Sequence, residues 1–358
     1  MKSLVFISTA GLCAFIFTLI LVPVIKEFAI KINLIDKPNH RKLHTVPVPL
    51  IGGICIAISI SFTALINPYI MEAVTQQKML YGSSAVLLSM GVLDDRFDLS
   101  AKLKLCIQLC CSLGIAFSDV RIMSLYGLFG VYEIPIYLQY VLTVIIVTGI
   151  VNAVNLMDGV DGLIGEFTVL GFLMLFVFSL HLKMYSLAAI SIAISFANVA
   201  FLKFNLNKHE IFMGDAGSLL LGNLLIGSTI YVLNTANSTP SVQPYILYAF
   251  SGFFAIPVLD SLRVYLGRIK YGKSPFKADK THLHHLLLLF NLSHKHISMV
   301  VSLITVVFLI SGIILVNYLQ ISFWLAFIII VFSSLSLLLN LNKKLLMWQN
   351  RLKQLETL

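Results

Sequence analysis

Asn152, Asn155, Asp158 and Asp161 recur at every third position in the stretch NAVNLMDGVDG (152–162). On a helical or 3₁₀ backbone that spacing draws two carboxamides and two carboxylates into one polar line along a single face. The apolar run before them, about nineteen residues from Ile136, is long enough to cross a hydrocarbon core of about 30 Å. The line therefore sits at the end of a membrane helix, with Gly159 and Gly162 loosening the backbone there. Ionisable groups at such depth persist where they face a cavity, a partner or an ion, which marks a functional site.

Four other stretches carry residues of the same kind. Asp94 and Asp95 are adjacent in LDDRFDLSAKLK (93–104), with Asp98 one turn on and Lys102 and Lys104 nearby. Such a pair is often a solvated turn, but this one closes an apolar run. Asp215 lies in FMGDAGS (212–218), where Gly214 and Gly217 permit close backbone approach and Ser218 opens the next apolar run. Together with Asn155 or Asp158 it offers hard oxygen ligands, which suit Mg²⁺ held by one or two carboxylates plus substrate phosphates. His282, His284 and His285 form H-L-H-H, which lacks the H-E-x-x-H pattern and has no cysteine nearby, so a zinc site is disfavoured. Arg268, Lys270, Lys273, Lys277 and Lys280 precede them, and the loop suits a phosphate or pyrophosphate clamp. A plain basic membrane-surface loop is the alternative. Lys31, Lys37, His40, Arg41, Lys42 and His44 in LIDKPNHRKLH (34–44) and its approach serve the same end or fix topology. Magnesium-dependent phosphate chemistry is the leading expectation.

The elements that must position these groups are membrane helices. Of 358 residues, 58% are hydrophobic and only 11% charged, and the mean hydropathy is +0.94, outside the range of soluble domains. The composition predicts an all-α polytopic membrane protein: one transmembrane domain over 1–340 and a basic, amphipathic cytoplasmic tail over 341–358. The N-terminal apolar run is too long for a signal peptide and is taken as the first crossing. Eleven crossings follow from the apolar runs, at about 3–25, 50–67, 79–93, 103–118, 136–154, 162–182, 185–203, 216–233, 244–266, 297–317 and 321–340. The runs 79–93 and 103–118 are short and flank an acidic cluster.

Alternating the connections between two sides puts all but Lys2, Lys78, Arg121 and Lys183 of the 25 lysines and arginines on one side. The positive-inside rule makes that side cytoplasmic, with the N-terminus outside and the C-terminus inside. The formal charge of +9 could suggest nucleic acid, but its one-sided distribution argues against that and makes it a topology signal, with phosphate binding as a second use. All five polar motifs fall on the same cytoplasmic side. Cys13, Cys55, Cys106, Cys110 and Cys111 lie in apolar stretches, odd in number and without C-x-x-C spacing, so neither a disulfide framework nor a zinc site is expected. A secondary transporter is the rival of a different class. It predicts polar groups near the midplane and symmetry between halves, whereas these cluster at one face without a detectable repeat.

Taken jointly, LIDKPNHRKLH with P-L-I-G-G (49–53), GVLDDRFDLS, NAVNLMDGVDGL, FMGDAGS and SPF…HLHHL resemble the polyprenyl-phosphate N-acetylhexosamine-1-phosphate transferases, in matching order over about residues 34 to 286. The likeness is strongest to members that transfer GlcNAc-1-phosphate from UDP-GlcNAc to undecaprenyl phosphate, giving undecaprenyl-diphospho-GlcNAc and UMP. It implies about eleven helices, a cytoplasmic active site, the bacterial inner membrane and homodimers. The step would be the first at the membrane in making a surface polysaccharide, of O-antigen, enterobacterial-common-antigen-like or teichoic-acid-like kind. Residue by residue, the resemblance implies Mg²⁺, replaceable by Mn²⁺, at Asp215 with Asn155 as second ligand. Asp94 and Asp95 match paired aspartates assigned to positioning or deprotonating the lipid phosphate. Asp158 and Asp161 match a second acidic motif, Asp161 near the uridine and Asn152 among the substrate-binding groups. Lys104 matches a phosphate-holding lysine, and Arg268, His282, His284 and His285 match last-loop residues around pyrophosphate and sugar. Asp36 and Asp98 also have counterparts.

Lys280-Thr281, where such chains tend to carry Arg-Gln, and Gly267 in place of a basic residue depart from the pattern and bear on donor handling. A muramoyl-pentapeptide donor is disfavoured because Leu283 interrupts the histidines and Leu286 follows them. Other UDP-N-acetylhexosamines remain alternatives. Direct attack of the lipid phosphate on the β-phosphorus is preferred to an aspartyl-phosphate intermediate.

Overall fold

The computed structural model describes residues 2–36, 46–207, 210–270, 272 and 281–356. Lys37, His40, Arg41, Lys42, His44, Lys273, Lys277 and Lys280, named above as basic or imidazole groups, lie outside the described residues. The chain runs α1 (Lys2–Lys31), β1 (Ile35–Asp36), β2 (Val48–Pro49), α2 (Gly52–Ile66), α3 (Pro68–Gln76), α4 (Lys78–Phe97), α5 (Ala101–Ala116), β3 (Ser124–Leu128) and β4 (Val131–Glu133). It continues with α6 (Ile136–Met157), α7 (Leu163–His181), α8 (Tyr185–Asn205), α9 (Gly214–Ala236), α10 (Gln243–Lys270), α11 (Leu283–Leu288), α12 (His294–Leu315) and α13 (Ile321–Glu356). Among the described residues, two antiparallel strand pairs, β1 with β2 and β3 with β4, depart from an all-α fold.

Among the described residues, eight helices are long and apolar enough to cross a membrane: α1, α6 to α10, α12 and α13. Helices α2 and α3 qualify together as a ninth span, bent by 111°. The bend has a local cause. Asn67 accepts the backbone N–H groups of Tyr69 and Ile70 as an N-cap, and Pro68 takes the first helical position, so a new helix must start there. The two short runs that bring the sequence count to eleven lie in α4 and α5, and neither joins this set. Helix α13 runs without a break through residue 340.

The chain divides into two compact units, Met1–Leu247 and Tyr248–Leu358. In the first, α9 is the central element, packed against α2, α4, α6 and α7. Its sequence, GDAGSLLLGNLLIGSTIYVLNTA, is apolar and small-residued all round, as befits a helix with no lipid-facing side. A Cβ on Gly53 of α2 would fall 2.2 Å from the Gly217 Cα, and one on Gly91 of α4 would fall 2.3 Å from the Ala216 Cα. Glycine is what lets both neighbours lie backbone to backbone against the first turn of α9. Further along α9, Asn223 donates to Ser84 of α4 at 2.8 Å, which fixes the rotation of the two helices.

In the second unit, α12 lies against α10 at Tyr248 and Gly252, and α11 against α12 and α13. Gly252 and Gly312 again permit the approach: Cβ atoms there would sit 2.5 Å from the Phe308 carbonyl oxygen and 2.7 Å from that of Tyr248. The buried Trp324 indole of α13 donates to the Ser251 hydroxyl at 2.9 Å.

Candidate active site

The first turn of α9 is fixed before any side chain reaches out from it. The backbone N–H groups of Ile51 and Gly52, at the start of α2, donate to the Phe212 carbonyl at 3.2 and 2.9 Å, and that of Gly53 to the Met213 carbonyl at 3.1 Å. Leu50 and Phe212 form a parallel bridge, so the segment entering α9 satisfies donors that a helix start leaves open. Gly214 then turns with φ +75°, a left-handed conformation that glycine adopts without strain. The open donors of α9 itself go to α4. Asp95 accepts the backbone N–H of Asp215 at 3.0 Å with one oxygen and that of Ala216 at 3.3 Å with the other. A carboxylate from a neighbouring helix thus caps α9, favoured both by hydrogen bonding and by the positive end of the helix dipole.

Asp94, adjacent in sequence, points differently and organises the α4–α5 turn. One oxygen accepts the Leu99 N–H at 2.8 Å and the other the Lys104 ammonium at 2.7 Å. Asp98 ends α4 in a left-handed conformation and the Ser100 hydroxyl caps α5. The spacing in DDRFDLSAKLK therefore brings Lys104 back over the pair. Its ammonium also lies 3.8 Å from the Asp215 carboxylate, and the Asp94 and Asp215 carboxyls stand within hydrogen-bonding reach of each other. Two bare carboxylates resist such an approach without a proton or a cation between them.

The third wall is the end of α6. The helix stops at Met157, with Asp158 as its cap and Gly162 turning at φ +82° into α7. The expected polar line along one helical face therefore breaks, because Gly159 and Gly162 free the backbone after two of its four members. Asn155 faces α9, where its Oδ1 accepts the Ser218 hydroxyl at 2.7 Å. Asn152 faces α5 instead, its amide nitrogen donating to Gln108 at 2.6 Å and to the Thr148 carbonyl at 2.9 Å. Asp158 and Asp161 lie in the turn, Asp161 buried. Burial, with Asp95 and Asp161 adding negative charge, pushes the Asp158 carboxyl up to about 8.

The first unit thus brings together Asp94, Asp95, Lys104, Asn155, Asp158, Asp161 and Asp215. Asn205 ties their loops. Its Oδ1 accepts the Gly162 N–H at 2.6 Å while its amide nitrogen donates to the Ile211 carbonyl at 2.9 Å, so one buried side chain spans the turn after α6 and the approach to α9. Sequence reasoning passes over it, since a lone asparagine at the end of an apolar helix carries no motif. Asp36 lies on β1, paired with Val48.

Among the described residues no group of three or more His, Cys, Asp or Glu side chains is arranged as a metal cage. The donors at the start of α9 fit Mg²⁺ in its usual protein setting. That ion uses one or two carboxylates and completes its shell with water and substrate phosphate. The crowding of Asp94 against Asp215 supplies the negative charge such an ion neutralises.

Arg268, His282, His284 and His285 belong to the second unit. Arg268, His282 and His284 are buried, and the Arg268 guanidinium lies over the Tyr265 ring at 5.7 Å. The His282 and His284 rings are parallel, with centroids 5.9 Å apart, and His285 is 4.3 Å from His284. Burial, with His285 and His282 alongside, lowers the His284 imidazole to about 3, so it is neutral at physiological pH. Asp260 of α10, absent from every motif above, holds this segment. It accepts the His282 Nδ1 at 2.9 Å, the Leu283 N–H at 3.0 and 3.1 Å, and the Arg263 guanidinium at 2.7 Å.

Residues 78–233 match the model of a family described as glycosyl transferase family 4. A probable undecaprenyl-phosphate N-acetylglucosaminyl 1-phosphate transferase of Bacillus subtilis is 32% identical over 331 residues, covering 91% of this chain and 90% of the relative. Undecaprenyl-phosphate alpha-N-acetylglucosaminyl 1-phosphate transferases of Escherichia coli (strain K12) and Salmonella typhi are 29% identical over 300 residues and 30% over 285. They cover 80% and 76% of this chain and 77% and 74% of their own lengths.

Proposed function

The chain belongs to glycosyl transferase family 4, and from that premise we propose that it transfers N-acetylglucosamine-1-phosphate from UDP-GlcNAc to undecaprenyl phosphate, releasing UMP. The observation that carries this reading is the gathering of four aspartates, Asp94 and Asp95 from α4, Asp158 from the turn after α6 and Asp215 from α9, with Asn155 and Lys104 about the first turn of α9. It occurs in a chain similar over 91% of its length to a transferase of that name.

The chemistry is a displacement at phosphorus. An oxygen of the lipid phosphate attacks the β-phosphorus of the nucleotide sugar and the bond to UMP breaks, so the glycosidic carbon is untouched. A phosphate monoester has its second pKa near 6, and much of the nucleophile is already dianionic at neutral pH. A general base therefore has little to do, and positioning with charge neutralisation carries the rate. Lys104, aimed by Asp94, supplies a cation to the phosphates. Asp95 keeps Asp215 at a fixed point by capping its helix. Asp215, with Asn155 as second ligand, would hold Mg²⁺, or Mn²⁺ in its place, and the bound ion would neutralise charge on the reacting phosphates. Asp158 and Asp161 serve the donor side, Asp161 toward the uridine, and Asn152 acts through Gln108 and the α5–α6 pairing. Arg268, His284 and His285 serve the pyrophosphate and sugar.

In the membrane, α4 and α5 complete eleven crossings as short helices, with the N-terminus outside and the C-terminus and acidic cluster cytoplasmic. The protein acts in the bacterial inner membrane as a homodimer, at the first membrane step of a surface polysaccharide. Purified protein with undecaprenyl phosphate and Mg²⁺ should release UMP and capture labelled sugar in the lipid phase from UDP-GlcNAc, but not from UDP-GalNAc or UDP-MurNAc-pentapeptide. EDTA should abolish the release. Turnover with another donor alone would overturn the donor assignment, and no turnover with any would overturn the reaction.

A further inference from the structure

We propose that Asp260 and His282 form a fixed dyad whose free nitrogen, His282 Nε2, accepts a hydrogen bond from a hydroxyl or amide N–H of the nucleotide-sugar donor. The inference rests on the transferase reading above and deepens it. It narrows the expectation that places these histidines around pyrophosphate and sugar.

The argument is a count of donors and acceptors. Asp260 is buried in α10 and its two oxygens meet the Arg263 guanidinium, the Leu283 N–H and His282 Nδ1. Arg263 also donates to the Thr281 carbonyl, which fixes the backbone immediately before His282. A carboxylate surrounded by donors is an acceptor only, so the proton of a neutral His282 must sit on Nδ1. Nε2 is then a bare lone pair. That atom is buried and has no hydrogen-bond partner among the described residues. Buried polar atoms are rarely left so, and one held in a defined tautomer by a carboxylate is the pattern by which proteins aim an imidazole at a ligand. The stacked neighbour His284 is itself neutral at physiological pH and adds no positive charge that would draw phosphate to this point. A hydroxyl or N–H of a sugar or nucleoside supplies the missing donor, and an ionised phosphate oxygen does not. Asp260 is accordingly a positioning residue, acting through His282.

The test uses the full chain in nanodiscs with ¹⁵N-labelled histidine rings, His282→Gln identifying the signals. Wild-type protein at neutral pH should show His282 protonated on Nδ1 and bare on Nε2, and UDP-GlcNAc should shift the Nε2 resonance. Asp260→Asn places an amide N–H among the donors and should move the proton to Nε2. It should also lower kcat/KM for UDP-GlcNAc about 10–100-fold while leaving KM for undecaprenyl phosphate unchanged. Arg263→Gln, which removes the ion pair and the Thr281 contact but keeps the Asp260 carboxylate, should leave the tautomer as it is. Protonation of Nε2 in the wild type, or an unchanged tautomer in Asp260→Asn, overturns the dyad. An Nε2 signal unmoved by a UDP-GlcNAc that is turned over overturns the donor contact. The expected tautomer in a protein that turns over no UDP-sugar instead strikes the transferase reading and leaves the dyad standing.

Discussion

The two units solve opposite electrostatic problems. Around the first turn of α9, Asp94, Asp95, Asp158 and Asp215 gather with Lys104 as the cation at hand, so that region has carboxylates in excess. Around Asp260 the balance is reversed, with one carboxylate taking an arginine, a backbone N–H and an imidazole at once. The first region is incomplete in charge and the second is complete in charge but short of one donor. The difference separates what each is proposed to bind: a divalent cation with phosphate in the one case, a neutral polar group in the other.

The sharpest way to break the comparison is Asp215→Ala. Removing the carboxylate best placed for a cation should lower activity on the order of 10³-fold or more in the UMP-release assay, without changing expression or detergent-extracted monodispersity. Removal of divalent cation comes next. EDTA should abolish turnover reversibly, and Mg²⁺ added back should raise the thermal midpoint of wild type more than that of Asp215→Ala, since ligand binding to the folded state stabilises it. A charge-complete first region would show no such gap.

Smaller effects sharpen it. In Gly91→Ala the new Cβ meets Ala216 backbone at 2.3 Å, and overpacking of this kind costs about 1–3 kcal/mol, to be read as a lowered midpoint with activity lost in parallel. Asp95→Ala should cost about 0.5–2 kcal/mol as a lost cap, and Asp95→Asn, which still offers an acceptor oxygen, less. The smallest effect is a slope. In cation-free protein Asp158 is raised from 3.8 to about 8, so between those values the native state binds more protons than the unfolded chain. Stability therefore falls as pH rises across that window. Asp158→Asn should flatten the slope in a pH series of thermal midpoints, and an unchanged slope would remove Asp158 from the excess charge.

Much of the first region is legible in the sequence because its residues are local. Asp94, Asp98, Ser100 and Lys104 lie within one helix–turn–helix, where capping chemistry and spacing fix what faces what. The start of α3 was open to the same treatment, since Asn67-Pro68 is a cap followed by a first-turn proline; counting apolar runs alone passes over it. The polar line from Asn152 is half legible. Its period was right for a helix, yet nothing in it says that the helix ends at Met157 or that Asn152 turns toward Gln108. Asn205 and Asp260 were not legible. Asn205 takes Gly162 from 43 residues away and Asp260 takes His282 from 22 residues away, and nothing local announces either long-range partner. The β3–β4 pair, short, with β3 half-buried and β4 exposed, likewise lacks an alternating apolar face to announce it.

The backbone contacts of Gly53 and Gly91 with α9 have a consequence for timing. A helix start packed backbone to backbone between two others sits in an interior with no room to spare. The ordering of Asp215 is therefore met once, when the protein folds, and not again at each catalytic cycle. What varies from one turnover to the next is left to water, ion and substrate.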